Sequence, residues 1–319
     1  MSAPPVNDSR RFDDAARAGW LYHVAGNTQD EIARKLGVSR QSVQRLVALA
    51  VSAGLIKVRL DHPIARCMEL SHRIKDRFEL HNCEVVPSDP ADPSAIIGLA
   101  QAGAAELERY LKLPEPQTIA MGTGRALCAC ADELPPMNCQ QHSIVSLIGN
   151  IMDDGAASSY DVVVRVADRV KAKYYPMPLP VFCPTAENKT LLLEQPHIKP
   201  IFEKGSKADA TFVGVGNLGT ASPLYLDGFV NKKDVESLFS MGGVGEMLSW
   251  VFNRQGEIID CDLNRRVSSM KMVKNPTNPV VAIAAGAIKV DAIMGAMRSG
   301  LINKLITNEY TAELILSSD

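Results

Sequence analysis

The chain has 319 residues, 46% of them apolar and 22% charged, with a formal net charge of −2, which excludes a disordered or fibrous chain and a uniformly basic surface. Its length exceeds what one hydrophobic core usually holds and predicts two domains. Charge is unevenly spread: residues 1–60 carry nine Lys/Arg against five Asp/Glu, a balance of +4, and the remainder carries −6, the pattern of a small basic head on a larger acidic body.

There is no run of about 18 apolar residues for a membrane span. The N-terminal residues lack the apolar core of a secretory signal, so a cytoplasmic protein is expected. The seven cysteines show no paired or Cys/His ligand spacing, which predicts neither a disulfide framework nor a metal site.

In chain order, a loose polar arm precedes a helix over roughly residues 11–24, with Phe12, Ala15, Ala16, Gly19, Trp20 and Tyr22 or His23 on its apolar face. Thr28 then opens a second helix, with Glu31 placed to complete a capping box. Ile32, Ala33 and Leu36 form its inner face, Gly37 makes the turn and Val38 plugs the angle to the next helix. Ser39 caps a third helix whose buried stripe is Val43, Leu46, Val47, Ala50 and Val51.

This is a helix-turn-helix pattern. Arg40, Gln41, Gln44 and Arg45 remain outward at the start of the third helix, as the guanidinium forks and amides that read base edges or grip phosphate in a major groove. Thr28, Ser39 and Ser42 complete the expected DNA-facing set. Residues 55–60 alternate apolar and basic, predicting a wing strand that carries Lys57 and Arg59 to the phosphate backbone. Residues 64–81 form an amphipathic helix, either a connector pairing subunits or the first helix of the next domain. The expected division is a head over 1–60, a linker helix over 61–82 and an effector domain over 83–319.

From residue 83 onward short β-like runs (83–87, 118–122, 143–149, 173–179, 210–216, 279–286 and 304–307) alternate with helical segments, including 93–111, 160–170 and 290–298. That alternation predicts an α/β domain with a largely parallel sheet. Ligands of such sheets bind at the carboxyl ends of strands. One such end is Gly122, Thr123, Gly124 and Arg125, where glycines free backbone N–H groups to face an anion and Arg125 adds charge beside a helix start. A plain tight turn is the alternative there. Other candidates are Gly149 with Asn150, the glycine-rich run 214–219, Glu246 in a small apolar loop and Lys289 after a strand. No nucleophile elbow, phosphate-binding lysine loop or histidine cluster is present, so no cofactor is expected.

Taken together these motifs resemble the SorC family of sugar-sensing transcriptional regulators. The resemblance rests on Ala33, Gly37, Val38, Ser39 and Val43 in the head. In the body it rests on the runs at 122–125, 160–167, 174–180, 214–219 and 242–248, and on the C-terminal segment from 281. It implies a winged head and a Rossmann-like effector domain similar to phosphosugar isomerases, assembled as a tetramer on operator DNA and switched by a small sugar or polyol phosphate. It also implies effector contacts at Gly122, Thr123, Gly124, Arg125, Gly149, Asn150, Glu246 and Lys289. Asn150 and Arg125 depart from many relatives, which makes a polyol or polyol phosphate as admissible as a hexose phosphate.

A rival expectation is a sugar-phosphate isomerase with a fused head, for which Glu246 and Asp161 are the available bases. A head that only recruits protein partners is a third.

Overall fold

The computed structural model describes residues 6–57, 64–92, 96–152, 154–158 and 160–318, and the chain divides into two compact units, Met1–His62 and Pro63–Asp319.

In the first unit α1 (Val6–His23), α2 (Gln29–Leu36) and α3 (Arg40–Ser52) pack around Ala18, Ile32 and Val43, all fully buried. The capping box starts α2: the Thr28 N–H donates to Glu31 Oε2 at 2.8 Å and the Glu31 N–H donates to Thr28 Oγ1 at 3.3 Å. Two of the donors that a helix start leaves unpaired are thereby satisfied. Gly37 ends α2 at φ 66°, a left-handed conformation that glycine adopts without a Cβ clash. Ser39 then starts α3, its Oγ accepting from the Ser42 N–H at 3.1 Å.

Several side chains of this unit lie elsewhere than expected. The inward face of α1 is Ala15, Ala18 and Gly19, while Phe12, Trp20 and Tyr22 are exposed, Trp20 at 54%. The cause is close helix approach: a Cβ on Gly19 would lie 2.7 Å from both Ala50 Cβ and Ile56 Cδ1, so only small residues fit there. Val38 is 37% exposed rather than a plug, because Ile32 and Val43 already fill the angle between α2 and α3. Ala50 is the last fully buried residue of the α3 stripe, and Val51 is 49% exposed. Of the expected wing strand, residues 55 and 56 form a bend, residue 57 has no regular structure, and 58–60, with Arg59, lie outside the described residues.

The second unit begins with α4 (Ala65–Phe78), whose Cys67, Leu70 and Ile74 are buried and which packs on β1 (Asn82–Val86) and on the last helix, α14 (Glu309–Ser317). There follow α5 (Ile97–Leu111), β2 (Thr118–Met121), α6 (Arg125–Glu133), β3 (Ser143–Ser146), α7 (Val162–Val170), β4 (Lys173–Tyr175), α8 (Ala186–Leu193), α9 (Lys199–Ser206) and β5 (Ala210–Gly214). An insertion holds β6 (Gly216–Asn217), α10 (Pro223–Leu226), α11 (Lys232–Ser240), β7 (Gly243–Met247), β8 (Trp250–Asn253) and α12 (Asp262–Arg266). The chain then closes with β9 (Val280–Ile283), α13 (Val290–Arg298), β10 (Lys304–Asn308) and α14.

Seven strands form one sheet in the order β1-β10-β9-β5-β2-β3-β4, every pairing parallel. Each of the seven coincides with a β-like run of the sequence. Side chains alternate between its faces: Ala120, Ala282 and Leu305 join one core with α4, α13 and α14, while Ile119, Met121, Val281, Ile283 and Ile306 join another with α5, α6 and α7. Burial on both faces is why these strands read as nearly continuous apolar runs.

The antiparallel sheet β6-β7-β8 was not expected, since its glycine-rich residues 242–248 read as a loop. Its glycines mark close packing: a Cβ on Gly245 would lie 2.2 Å from Ala292 Cβ and 2.7 Å from the Gly216 carbonyl. β7 and β8 are joined by Leu248 and Ser249, both left-handed at φ 54° and 65°, the conformation that a two-residue hairpin loop imposes.

Candidate functional site

From β2 the chain steps outward through β3 to β4, then returns to β5 on the other side of β2 and steps outward through β9 and β10. The direction reverses between β2 and β5, and a crevice opens at the carboxyl ends of strands at such a point. A cavity of about 390 Å³ lies there, within the usual range for small-molecule sites, lined by residues that follow β2, β3, β5 and β9.

Two of those strands run through a glycine into a helical start. Gly124, φ 122°, precedes α6, and Gly286, φ 119°, precedes the 3₁₀ turn Ala287–Lys289 that leads into α13. Neither start has a side-chain cap. The first residues of α6, Arg125, Ala126 and Leu127, line the cavity, so this helix start can offer it N–H donors without a side-chain cap. Arg125 is the first residue of α6 and is exposed at the rim. Thr123 donates its hydroxyl proton to the Tyr160 carbonyl, which fixes the loop ahead of Gly124.

Glu246 enters from β7, opposite Gly216 in the ladder. Its Oε2 accepts from the Ser249 N–H at 2.8 Å, holding the strained turn against the cavity. Burial pushes the Glu246 carboxyl above its ordinary value, while the Ser249 N–H and Lys289 pull it back. Lys289 is its counterpart: burial pushes the ammonium down, Glu246 opposes this and Arg125 adds to it. Two groups whose charge is disfavoured by burial thus line the same cavity, and each favours the charge of the other.

Of the expected effector residues, Thr123, Gly124, Arg125, Gly149, Glu246 and Lys289 line this cavity. Gly122 and Asn150 line a small neighbouring hollow that shares Thr123 and Gly149 with it. Gly149 is required sterically, since a Cβ there would lie 2.5 Å from the Leu179 carbonyl. Asn150 donates from Nδ2 to Asp161 Oδ2 at 3.2 Å, and Asp161 Oδ1 caps α7 by accepting from the Val164 N–H at 3.4 Å. Asp161 is therefore engaged as a helix cap, a poor position for the base of an isomerase.

Sequence reasoning missed Asp227, Ser249 and Gly286, all of which line the cavity. Asp227 ends α10 in the insertion. Burial pushes its carboxyl up and Arg125 pulls it down, so the two are electrostatic neighbours. The only sequence signal for Gly286 was its place between a strand and Lys289, the same grammar as Gly124 before Arg125.

In the first unit Thr28, Ser39, Arg40, Gln41, Gln44, Arg45 and Lys57 are exposed and Ser42 is half-buried. Gln41, Gln44 and Arg45 share the exposed N-terminal part of α3. Arg40 is turned toward α2, its guanidinium 3.5 Å from Asp30 and its Nε 3.4 Å from Gln29 Oε1. Thr28 and Ser39 carry their caps, and Ser42 Oγ lies 2.9 Å from Ser39 Oγ. Among the described residues no cluster of three or more His, Cys, Asp or Glu is arranged to hold a metal ion, and no helix is long and apolar enough to cross a membrane.

Residues 62–317 match the family described as "Putative sugar-binding domain", and residues 18–63 match the MarR family. The chain is 34% identical over 302 residues to the erythritol catabolism regulatory protein EryD of Brucella abortus, an alignment covering 95% of this chain and 96% of that one. It is 27% identical to the transcriptional regulator LsrR of Escherichia coli, covering 96% and 95%. Among solved structures, the full-length sorbitol operon regulator SorC of Klebsiella pneumoniae aligns at a TM-score of 0.72 and 25% identity, covering 95% of this chain and 98% of that one. These relatives are named as regulators and not as enzymes, so the isomerase reading of Glu246 and Asp161 is set aside. With a helix-turn-helix unit, a sugar-binding unit and relatives matched over nearly its whole length, the chain belongs to the SorC family of sugar-binding transcriptional regulators.

Proposed function

We propose that the chain is a cytoplasmic, tetrameric regulator of a carbohydrate or polyol catabolic operon. Residues 1–60 read operator DNA, residues 83–319 bind the effector, and residues 61–82 join them through α4, which is packed on the effector unit. The observation that carries this reading is the cavity at the switch point, where an uncapped helix start with Arg125, the turn ending at Lys289, and Glu246 converge. Such a site offers both donors and acceptors, the requirement for a polyhydroxylated ligand, free or phosphorylated.

Gln41 and Gln44 are the base-reading candidates, with Thr28, Ser39, Arg40, Ser42, Arg45, Lys57 and Arg59 at or near the phosphates. The modest positive charge of one head supports an assembly in which several heads engage DNA at fixed spacing. Effector binding acts by linkage, through different affinities for the DNA-competent and DNA-incompetent arrangements.

A thermal-shift panel on the full chain tests the cavity. Erythritol and sorbitol, suggested by the names of the relatives, are compared with other polyols, sugars and their phosphates. A ligand-dependent rise in melting temperature that Glu246→Gln and Lys289→Ala both abolish is expected. A panel without any shift would refute the assignment.

A further inference from the structure

We infer that the effector is an uncharged polyhydroxylated molecule rather than a phosphate ester, and that Asp227 sets this preference. The inference rests on the cavity being the effector site. Among the described lining residues the acidic and basic side chains are Arg125, Lys289, Asp227 and Glu246, two of each sign. Each carboxylate is offset by one of the cations. Lys289 acts on Glu246 and Arg125 acts on Asp227, in each case favouring the carboxylate.

The balance of each pair can be followed separately. Burial disfavours the charged forms of Glu246 and Lys289 alike. Whether that pair is ionised or has passed its proton from lysine to glutamate, it sums to zero. Arg125 keeps its charge throughout this range, so the outcome depends on Asp227. Without Asp227 the charge of Arg125 would stand unbalanced, the makings of an anion site. With Asp227 it is balanced.

A phosphate monoester brings a charge of about −1.5 to −2 at neutral pH. Open helix starts offset only roughly half a unit of charge each. Ile96, Leu99, Leu226, Phe229 and Ile288 make other parts of the wall apolar, and the remaining polar lining, Thr123, Ser158, Tyr160 and Ser249, brings a dianion no compensating charge. A neutral polyol suits the same wall. Its hydroxyls donate to the Glu246 and Asp227 carboxylates and accept from Arg125, Lys289 and the first N–H groups of α6, without introducing an unbalanced charge. Asp227 comes from the insertion rather than from a sheet strand, so it is a position where this preference can be set without disturbing the sheet.

The test is calorimetric titration of the full-length chain with tetritols, pentitols and hexitols, each paired with its terminal phosphate ester, and with inorganic phosphate as the ionic control. The wild type is expected to bind a free polyol at least ~10-fold more tightly than its ester. Asp227→Asn should shift that ratio ~10-fold or more toward the ester, and Arg125→Gln should shift it the other way. The melting temperature of each variant without ligand shows that it is folded. A wild type that prefers the ester would overturn the inference while leaving the effector site in place. An unchanged ratio in Asp227→Asn would overturn the role of Asp227. Failure of both ligand sets to bind would overturn the effector-site assignment along with it.

Discussion

A Cβ placed on Gly216 would lie 2.0 Å from Oε1 of Glu246, the residue that faces it across the β6–β7 ladder. The missing side chain is what gives the Glu246 carboxylate its place in the cavity wall. Gly216→Ala must displace that carboxylate and break its bond to the Ser249 N–H. Overpacking of this kind costs ~1–3 kcal/mol. The expected result is a modest fall in the urea midpoint and complete loss of the effector-induced thermal shift. An alanine variant with an undiminished shift would show that the Glu246 position does not matter.

The pH dependence of Glu246 has a definite sign. Burial raises its folded-state pKa above the ordinary 4.5, so in a window beginning near that value the folded chain holds a proton the unfolded chain has lost. Stability then falls as pH rises through the folded pKa. Lys289, depressed by burial, has the opposite linkage: its contribution is present above its ordinary 10.5 and is lost as pH falls through its lowered value. Glu246→Gln should remove the acid-side slope in a series of melting curves beginning at pH 4.5. A slope equal to that of the wild type would assign it to another group.

The capping box offers a local test in the head. Thr28→Ala removes the acceptor for the Glu31 N–H. A cap of this type contributes ~1 kcal/mol. Amide hydrogen exchange in α2 should accelerate by roughly fivefold, with α13 unaffected. Equal protection in variant and wild type would mean that α2 is held by packing alone.

Gln44 is exposed on α3 one residue from the buried Val43. If its amide makes a bidentate base contact, Gln44→Ala should lower discrimination against a mismatched operator by ~1–3 kcal/mol. Arg45→Ala should instead weaken binding to all sequences and flatten the salt dependence, as loss of a phosphate contact does. Competition gel shifts at several salt concentrations separate the two. Loss of affinity without loss of discrimination in the Gln44 variant would move that residue to the backbone-contacting set.

These tests bear most on residues that the sequence made hardest to place. The seven sheet strands were legible because two-sided burial leaves runs such as 119–121 and 280–283 without polar interruption. The caps of α2 and α3 were legible because capping is local chemistry. β7 was not, since Gly243 and Gly245 carry no β-forming side chain and serve only to let Leu218, Ala292 and the Gly216 carbonyl come close. Trp20 and Phe12 misled for a related reason: a helix that packs through Ala15, Ala18 and Gly19 hides its contact face behind small residues and leaves its large ones outside. Asp227 and Ser249 reach the cavity from an insertion whose path no local pattern encodes.

The central claim is that a ligand in the switch-point cavity changes the affinity of the head for DNA. Fluorescence anisotropy of full-length chain on labelled operator, with and without saturating effector, measures this directly. The account predicts a change of roughly 5- to 150-fold in operator affinity, abolished by Glu246→Gln with the affinity of the ligand-free chain unchanged. Equal operator affinity with and without a ligand that calorimetry shows to be bound would contradict it.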